Sequence, residues 1–298
     1  MSQNVVNPYW FVVTGSRGLF GGGYAGGASD VIDFVNISTE ADASDFGDLT
    51  LARSALASCS DGTYGIWAGG TPNGTNDDEI DFVTIATAAD ASNFGDLPTA
   101  KRRLSGCAND TRGLFGGGYV SGAINTIDYV TIASASNALD FGDLTVARFS
   151  TGALADSTRG CWAGGDANAS KLNVIDFVTI ASAGPATNFG DLVVGRRETA
   201  GVADATRGCF GGGNDGAATV DIDFITIATE GDASPFGDLS VARSNIAGCA
   251  SDVRGIFGGG TSPDGNVMDY VTIATEGDAL NFGDLTVARD QLAGCAGE

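Results

Sequence analysis

The sequence contains no histidine, few basic side chains and no long apolar run. Its 298 residues hold 15 Lys and Arg against 37 Asp and Glu, a formal net charge of -22. Nucleic-acid backbones and anionic membranes repel such a charge, so we expect neither as a partner. The lack of histidine removes the commonest general base and zinc ligand. We therefore expect a protein that is not an enzyme and that uses no cofactor or metal.

Two kinds of targeting segment are also missing from the sequence. No stretch reaches the roughly 18 consecutive apolar residues of a membrane-spanning helix, so we expect no direct insertion into a membrane. The first ten residues, MSQNVVNPYW, have neither the basic region nor the apolar region of a secretory signal.

The chain is built from six copies of one unit of about 47 residues. Each copy contains the tetrapeptide Phe-Gly-Asp-Leu, an aromatic residue followed by small residues, and an Asp followed by Phe or Tyr. The repeated aromatics are expected to pack between units as core. The three markers begin at Phe46, Phe94, Phe141, Phe189, Phe236 and Phe282; at Phe20, Trp67, Phe115, Trp162, Phe210 and Phe257; and at Asp33, Asp81, Asp128, Asp176, Asp223 and Asp269.

Each unit has the pattern of four short strands joined by turns rich in Asp, Gly and Ser. In the last unit we place the strands at 244–249, 255–259, 269–275 and 284–288. Such units are typical of a β-propeller, with a β-solenoid as the alternative. We predict an all-β protein, a six-bladed β-propeller of four-stranded antiparallel blades.

The cysteines follow a compensating pattern across the six units. Units four and five carry Leu154 and Val202 on the first strand, and their cysteines, Cys161 and Cys209, lie on the second strand. The remaining cysteines lie on the first strand, opposite a branched aliphatic residue. One thiol and one aliphatic side chain per blade keeps the core volume constant. We therefore predict six buried, free thiols and no disulfide.

The same rule predicts how the ring closes. Leu19 on the second strand of the first unit needs a thiol opposite it, and Cys295 supplies one whereas Val12 does not. We predict that residues 290–295 provide the innermost strand of the first blade. Residues 15–298 then form the propeller, and residues 1–14 form an N-terminal extension or docking segment.

Charged residues also recur at fixed positions. An Asp inside an apolar strand is costly unless it meets hydrogen-bond donors. We predict that the third-strand aspartates and those of Phe-Gly-Asp-Leu bind turn amides or the recurring basic residues. The remaining acidic residues are expected to coat the turns and to favour solubility. The basic residues occupy two positions of the unit: Arg53, Lys101, Arg148, Arg196, Arg243 and Arg289; and Arg17, Arg112, Arg159, Arg207 and Arg254, with Tyr64 in the second unit.

The most variable stretches lie between the second and third strands of each unit, and we expect all six on one face. Their Gly, Asn, Ser, Asp and Tyr content suits adaptable polar recognition; the alternative is that they are unconstrained, solvated loops. The acidic run at 77–79 lacks the glycine and the spacing of a calcium loop. The candidate binding residues are Tyr24, Asp77, Asp78, Glu79, Tyr119, Asp166, Asn214, Asp215 and Asp264.

Three adjacent aromatics precede the first unit. Tyr9, Trp10 and Phe11 would form an exposed apolar patch unless something covers them, either their own ring or a partner subunit. We identify them as the candidate docking residues.

The order of residues in each unit resembles the kelch repeat. A basic residue precedes a strand, an aromatic with a Gly-Gly pair follows, then a strand with an acidic and an aromatic residue, then another aromatic. The resemblance runs from about Arg17 to Cys295; it differs where Phe-Gly-Asp-Leu stands in place of the usual Trp.

Among kelch-type proteins, the nearly uniform copies of FGDLTVAR and IDFVTIAT are similar to the kelch-like repeat proteins of tailed, particularly marine, phages. This resemblance implies a structural or adhesion protein at the virion surface, a tail or head fibre module. Its partners would be other virion proteins or a host-surface ligand. The alternative is a cellular, cytoplasmic kelch-like scaffold for protein–protein interaction.

Overall fold

The computed structural model describes residues 16–261 and 265–298. Within these ranges the chain forms 24 strands, and none of it forms a helix long and apolar enough to cross a membrane. The strands make six four-stranded antiparallel sheets. The inner strand of each sheet contacts the inner strands of both neighbouring sheets, so that the sheets close into a ring. The predicted six-bladed β-propeller is confirmed.

In the second to sixth blades the strands follow one another along the chain from the axis outward. In the first blade, the outer three strands are β1 (Arg17–Gly21), β2 (Val31–Asn36) and β3 (Ser44–Asp48). The second blade comprises β4 (Ala57–Ser60), β5 (Tyr64–Gly70), β6 (Asp77–Thr84) and β7 (Ser92–Asp96). The third comprises β8 (Ser105–Ala108), β9 (Arg112–Gly116), β10 (Thr126–Thr131) and β11 (Leu139–Asp143).

The other three blades repeat this arrangement. The fourth comprises β12 (Gly152–Ala155), β13 (Arg159–Ala163), β14 (Val174–Thr179) and β15 (Thr187–Asp191). The fifth comprises β16 (Ala200–Ala203), β17 (Arg207–Gly211), β18 (Thr219–Thr226) and β19 (Ser234–Arg243). The sixth comprises β20 (Ala247–Ala250), β21 (Arg254–Gly258), β22 (Val267–Thr272) and β23 (Leu280–Asp284), and the chain ends with β24 (Ala293–Gly297).

The last strand completes the first blade. β24 pairs with β1, and Cys295 stands directly opposite Leu19. The prediction of closure by the C-terminal strand is therefore confirmed. The N-terminal extension, with the candidate docking residues Tyr9, Trp10 and Phe11, lies outside the described residues.

The cysteine rule holds in every blade. Each thiol faces a branched aliphatic side chain across the first two strands, and all six cysteines are buried and free. The first-strand side chain also packs against a glycine of the next blade: a Cβ added at Gly113 would lie 2.5 Å from Cys59 Sγ. The facing pairs are Cys59 with Ile66, Cys107 with Leu114, Leu154 with Cys161, Val202 with Cys209, Cys249 with Ile256, and Leu19 with Cys295.

Native thiols are expected to resist alkylation. Burial raises the pKa of Cys161 and Cys209 to about 12, and it raises the pKa of the other four thiols as well. The thiolate is the reactive form, so iodoacetamide at about pH 8 will modify none of the six in the folded protein. Mass spectrometry will show all six modified after treatment in urea. Rapid labelling of any cysteine in the native state would contradict the burial of that thiol.

Second-strand aromatics fill the spaces between blades. Trp67 and Trp162 are fully buried, as are the four phenylalanines at the equivalent positions. Gly21 lies so close to Trp67 of the next blade that an added Cβ would be 2.6 Å from the indole Nε1. A larger residue at Gly21 would therefore push the two blades apart.

The outer strands lie earlier in the unit than the sequence indicates. We predicted the last of them at 284–288, whereas β23 is Leu280–Asp284. The following residues instead carry the chain back across the blade, with Leu285 buried. This return path brings Arg289, which precedes the next inner strand, to Asp33 on the third strand of the first blade.

Every third-strand aspartate forms a buried ion pair with the basic residue that precedes the inner strand of its own blade. The nitrogen–oxygen distances are 2.7 to 3.0 Å, and the basic side chains are fully buried. The prediction for these aspartates is confirmed. The pairs are Arg53 with Asp81, Lys101 with Asp128, Arg148 with Asp176, Arg196 with Asp223, Arg243 with Asp269, and Arg289 with Asp33.

The prediction for the Phe-Gly-Asp-Leu aspartates is wrong. Five of these residues end their outer strands, whereas Asp238 lies within β19. All six are exposed or half-buried, and none of their carboxylates accepts a hydrogen bond from a described residue. Asp48 instead binds the next blade through its own backbone. Its N–H donates to Asp90 Oδ1 (3.2 Å), and its carbonyl accepts from Ala91 N (2.7 Å). Part of the acidic coat thus links neighbouring blades.

Candidate functional site at the mouth of the channel

Two sets of connections share one face of the ring. The turn that enters a first strand and the loop that leaves the second strand lie at the same end of a blade, because the two strands are antiparallel. Isolated bridges join the two sets around the ring, which confirms the prediction that the six variable loops lie on one face, here called the loop face. The bridged pairs are Tyr24 with Asp290, Thr71 with Ser54, Tyr119 with Arg102, Asp166 with Phe149, Asn214 with Arg197, and Thr261 with Ser244.

Six backbone hydrogen bonds encircle the axis at the centre of the loop face. Each links the N–H of one entry-turn residue to the carbonyl of the equivalent residue in the preceding blade, over 2.7 to 3.0 Å. All six residues have φ between 53° and 63°, in the left-handed region. This circle is the rim of the central channel, and its members are Ala55, Arg103, Ser150, Glu198, Asn245 and Gln291.

The rim side chains differ in every blade, although the framework on either side is repeated. In sequence order the rim presents a methyl group, a guanidinium, a hydroxyl, a carboxylate and two amides. These six residues are not among the binding residues predicted from the sequence, which all come from the longer loops between the second and third strands. The signal was present: the three residues after each buried basic residue read SAL, RRL, FST, RET, SNI and DQL.

A cavity of about 130 Å³ opens at this rim. The six rim residues line it together with the residues that follow them, among them Thr151 and Thr199. Below it, the channel continues as a second cavity of about 160 Å³, lined by small side chains of the inner strands such as Ser58 and Ala153. We name the upper cavity and its rim the channel mouth.

The basic residues outside the repeated framework all lie on the loop face. They are Arg102, Arg103, Lys171 and Arg197. Arg197 is neutralised by Asp166 (2.6 Å) and Glu198 (3.2 Å). Arg102 donates to Gly74 O, 2.9 Å away.

Two aromatic rings support the arginines of the third blade. The guanidinium of Arg102 lies 5.2 Å from the centroid of Tyr119, and that of Arg103 lies 5.7 Å from the centroid of Phe149. The two rings are themselves in edge contact, 5.3 Å apart. This stacking holds both cations at one side of the mouth.

Four of the predicted binding residues stand at the start of their loops and bridge to the entry turns, although none of them lines the cavity. Tyr24 is 47% exposed, Tyr119 and Asn214 are half-buried, and Asp166 is buried by its ion pair with Arg197. Asp166 Oδ1 also accepts from Ala169 N, so its carboxylate has a structural role. The binding role of the other three stays a prediction.

The remaining predicted residues that the structure describes do not bridge to the entry turns. Asp77, Asp78 and Glu79 belong to strand β6 rather than to a loop, and they do not line the cavity. Asp77 and Glu79 lie 3.7 and 3.8 Å from the buried Arg53, which explains why acidic residues occur there. Asp215 is exposed at a loop tip, and Asp264 lies outside the described residues.

The channel mouth brings together groups that can bind a polar ligand. One cation, one carboxylate, two amides and several hydroxyls converge on a space open to solvent, and together they can donate and accept hydrogen bonds in several directions. No protein-family model matches the chain, and the comparison with curated proteins finds no match.

Proposed function

We propose that this protein is a non-enzymatic structural or adhesion protein of a virion, a tail or head fibre module that recognises its ligand with the loop face. The proposal rests on where the sequence differs between the six blades. Six nearly identical units form the ring, yet the rim and the adjoining loops differ from blade to blade. A repeated framework maintains shape, whereas unrepeated residues on one face can recognise an unsymmetrical partner.

The resemblance to kelch-like repeat proteins of tailed phages supports the virion part of the proposal. The ligand would be a host-surface molecule or another virion protein, and the virion surface would be the location. The net charge of -22 argues against nucleic acid as a partner and against binding to an anionic membrane. Residues 1–14 would then dock the ring on the particle through Tyr9, Trp10 and Phe11.

The experiment is to purify particles from the source and to quantify this chain against the major capsid protein by mass spectrometry. We expect a fixed stoichiometry across independent preparations and across fractions of a density gradient. A soluble host protein of similar abundance serves as the contamination control. A chain that stays with soluble proteins would overturn the virion proposal and favour the cellular, cytoplasmic kelch-like scaffold.

A further inference from the structure

Arg103 is a charged side chain without a partner at the channel mouth. Every other arginine of the described residues makes a hydrogen bond or an ion pair, but the guanidinium of Arg103 makes neither with any described residue. It is half-buried and lines the cavity. A half-buried arginine with free donors is suited to an anionic group.

The position of Arg103 is fixed before any ligand arrives. Its backbone N–H donates to Ala55 O (2.7 Å), and its carbonyl accepts from Ser150 N (2.8 Å). Its side chain lies over Phe149, in the entry turn of the next blade. The planar fork can therefore bind both oxygens of a carboxylate with little loss of side-chain freedom.

The rest of the mouth offers acceptors for hydroxyl groups. The amide nitrogens of Asn245 and Gln291 are engaged by Thr261 Oγ1 and Asp290 Oδ1, at 3.1 Å each, so their amide oxygens remain available. Glu198 uses one carboxylate oxygen for Arg197 and keeps the other. Thr199 is 95% buried, and its Oγ1 has no partner among the described residues.

The volume and the overall charge restrict the ligand further. About 130 Å³ is close to the size of cavity that admits one six-membered ring. The mouth is open on the loop face, so a longer chain attached to that ring could extend into solvent. A polyacidic protein would be repelled by the net charge of -22, whereas a ligand with a single carboxylate meets far less repulsion.

We propose that the channel mouth binds one acidic sugar, a uronic acid unit whose carboxylate pairs with Arg103 and whose hydroxyls donate to Asn245, Gln291 and Glu198. This inference rests on the proposed function, because it names the ligand class that the loop face would recognise. On a host surface such a unit would belong to a glycan with few acidic sugars, because the net charge of -22 would repel a polyacidic chain.

The test is calorimetric titration of the full chain with glucuronic acid and galacturonic acid, with glucose and galactose as neutral counterparts. A charge-assisted bidentate bond should make the uronic acids bind about 10- to 100-fold more tightly than the neutral sugars. Acetate is the probe for a carboxylate alone, and we expect it to bind more weakly than either uronic acid.

The chain offers a well-matched variant. Gln291 occupies the position equivalent to Arg103 with the same left-handed backbone, so Arg103→Gln should fold normally. It should lose the preference for uronic acids, by about 10- to 100-fold, while its urea unfolding curve stays unchanged. Lys171→Gln removes one positive charge from the same face, outside the cavity, and should leave the affinity within about twofold.

Several results would overturn the inference. Equal affinity for uronic acids and neutral sugars would remove the role of the carboxylate, and equal affinity for acetate and glucuronic acid would remove the sugar. Binding that survives Arg103→Gln would place the site elsewhere, and no binding of uronic acids would refute it outright. The stoichiometry of the chain in particles does not enter the titration, so failure of the virion proposal is distinguishable from failure of the sugar site.

Discussion

Replacing Arg196 with methionine is expected to lower the free energy of unfolding by about 3–5 kcal/mol. Arg196 is fully buried and donates to Asp223 Oδ2 (2.9 Å) and to Phe210 O (3.0 Å). Methionine fills much of the same volume but leaves the Asp223 carboxylate in the core without its counter-charge. The loss therefore reflects an uncompensated buried charge more than a cavity.

The effect of Arg196→Met should depend on pH. Burial raises the pKa of Asp223 above its ordinary value, while Arg196 acts to lower it, so removing Arg196 raises that pKa further. A carboxyl group with a higher pKa in the folded state costs stability as the pH rises from about 4, its unfolded pKa, through the folded pKa. The variant should therefore be penalised more at about pH 7 than at about pH 5, as measured by urea denaturation.

The controls for Arg196→Met come from the chain itself. In the third blade Lys101 takes the equivalent position and lies 2.7 Å from Asp128, so Arg196→Lys should lose much less stability. The double variant Arg196→Met, Asp223→Leu removes both charges and should recover part of the loss. Wild-type stability of Arg196→Met at neutral pH would contradict the importance of the pair.

Deleting residues 293–298 should reduce the free energy of unfolding by more than about 5 kcal/mol, a loss comparable with the whole stability of many domains. The deletion removes β24, the inner strand of the first blade, with its buried Ala293 and Cys295. It also removes acceptors for the second blade, because Trp67 Nε1 donates to Ala293 O (3.2 Å) and Ser58 Oγ donates to Gly294 O (2.7 Å).

Hydrogen exchange is the sharper measurement for this deletion. The amides of β1 should lose protection first, because β1 is left with one partner strand instead of two. Deleting Glu298 alone is the control; it removes one hydrogen bond, to Gly62 O (2.8 Å), and should cost about 1 kcal/mol. A stable ring without residues 293–298 would mean that another segment can close the first blade.

Much of the fold could be predicted because each unit carries its own pattern. A four-strand unit repeated six times limits the architecture, and an aspartate within an apolar strand requires hydrogen-bond donors, either turn amides or basic side chains. The exchange of Cys for Leu154 and Val202 showed which strands face each other, and so predicted the pairing of Leu19 with Cys295. The side-chain volume that fits a close-packed core is set within each blade. Six copies of the unit therefore show the same volume constraint six times.

Errors arose where a residue acts across blades. The outer strand was placed too late because the residues after Asp284 look like a strand but return the chain to the axis. The Phe-Gly-Asp-Leu aspartates were expected to bind through their carboxylates, whereas Asp48 binds the next blade through its backbone. A recurring residue indicates a recurring role, but the sequence alone does not distinguish a side-chain role from a backbone one.

The sequence by itself determined the number of blades, their buried thiols and the strand that closes the ring, since these follow from packing within one unit. Only the tertiary structure decided where the site lies. Arg103 and Asn245 are 142 residues apart along the chain and become neighbours around one cavity because the ring closes and six entry turns meet at its axis. That convergence depends on the geometry of the closed ring, which no single unit encodes.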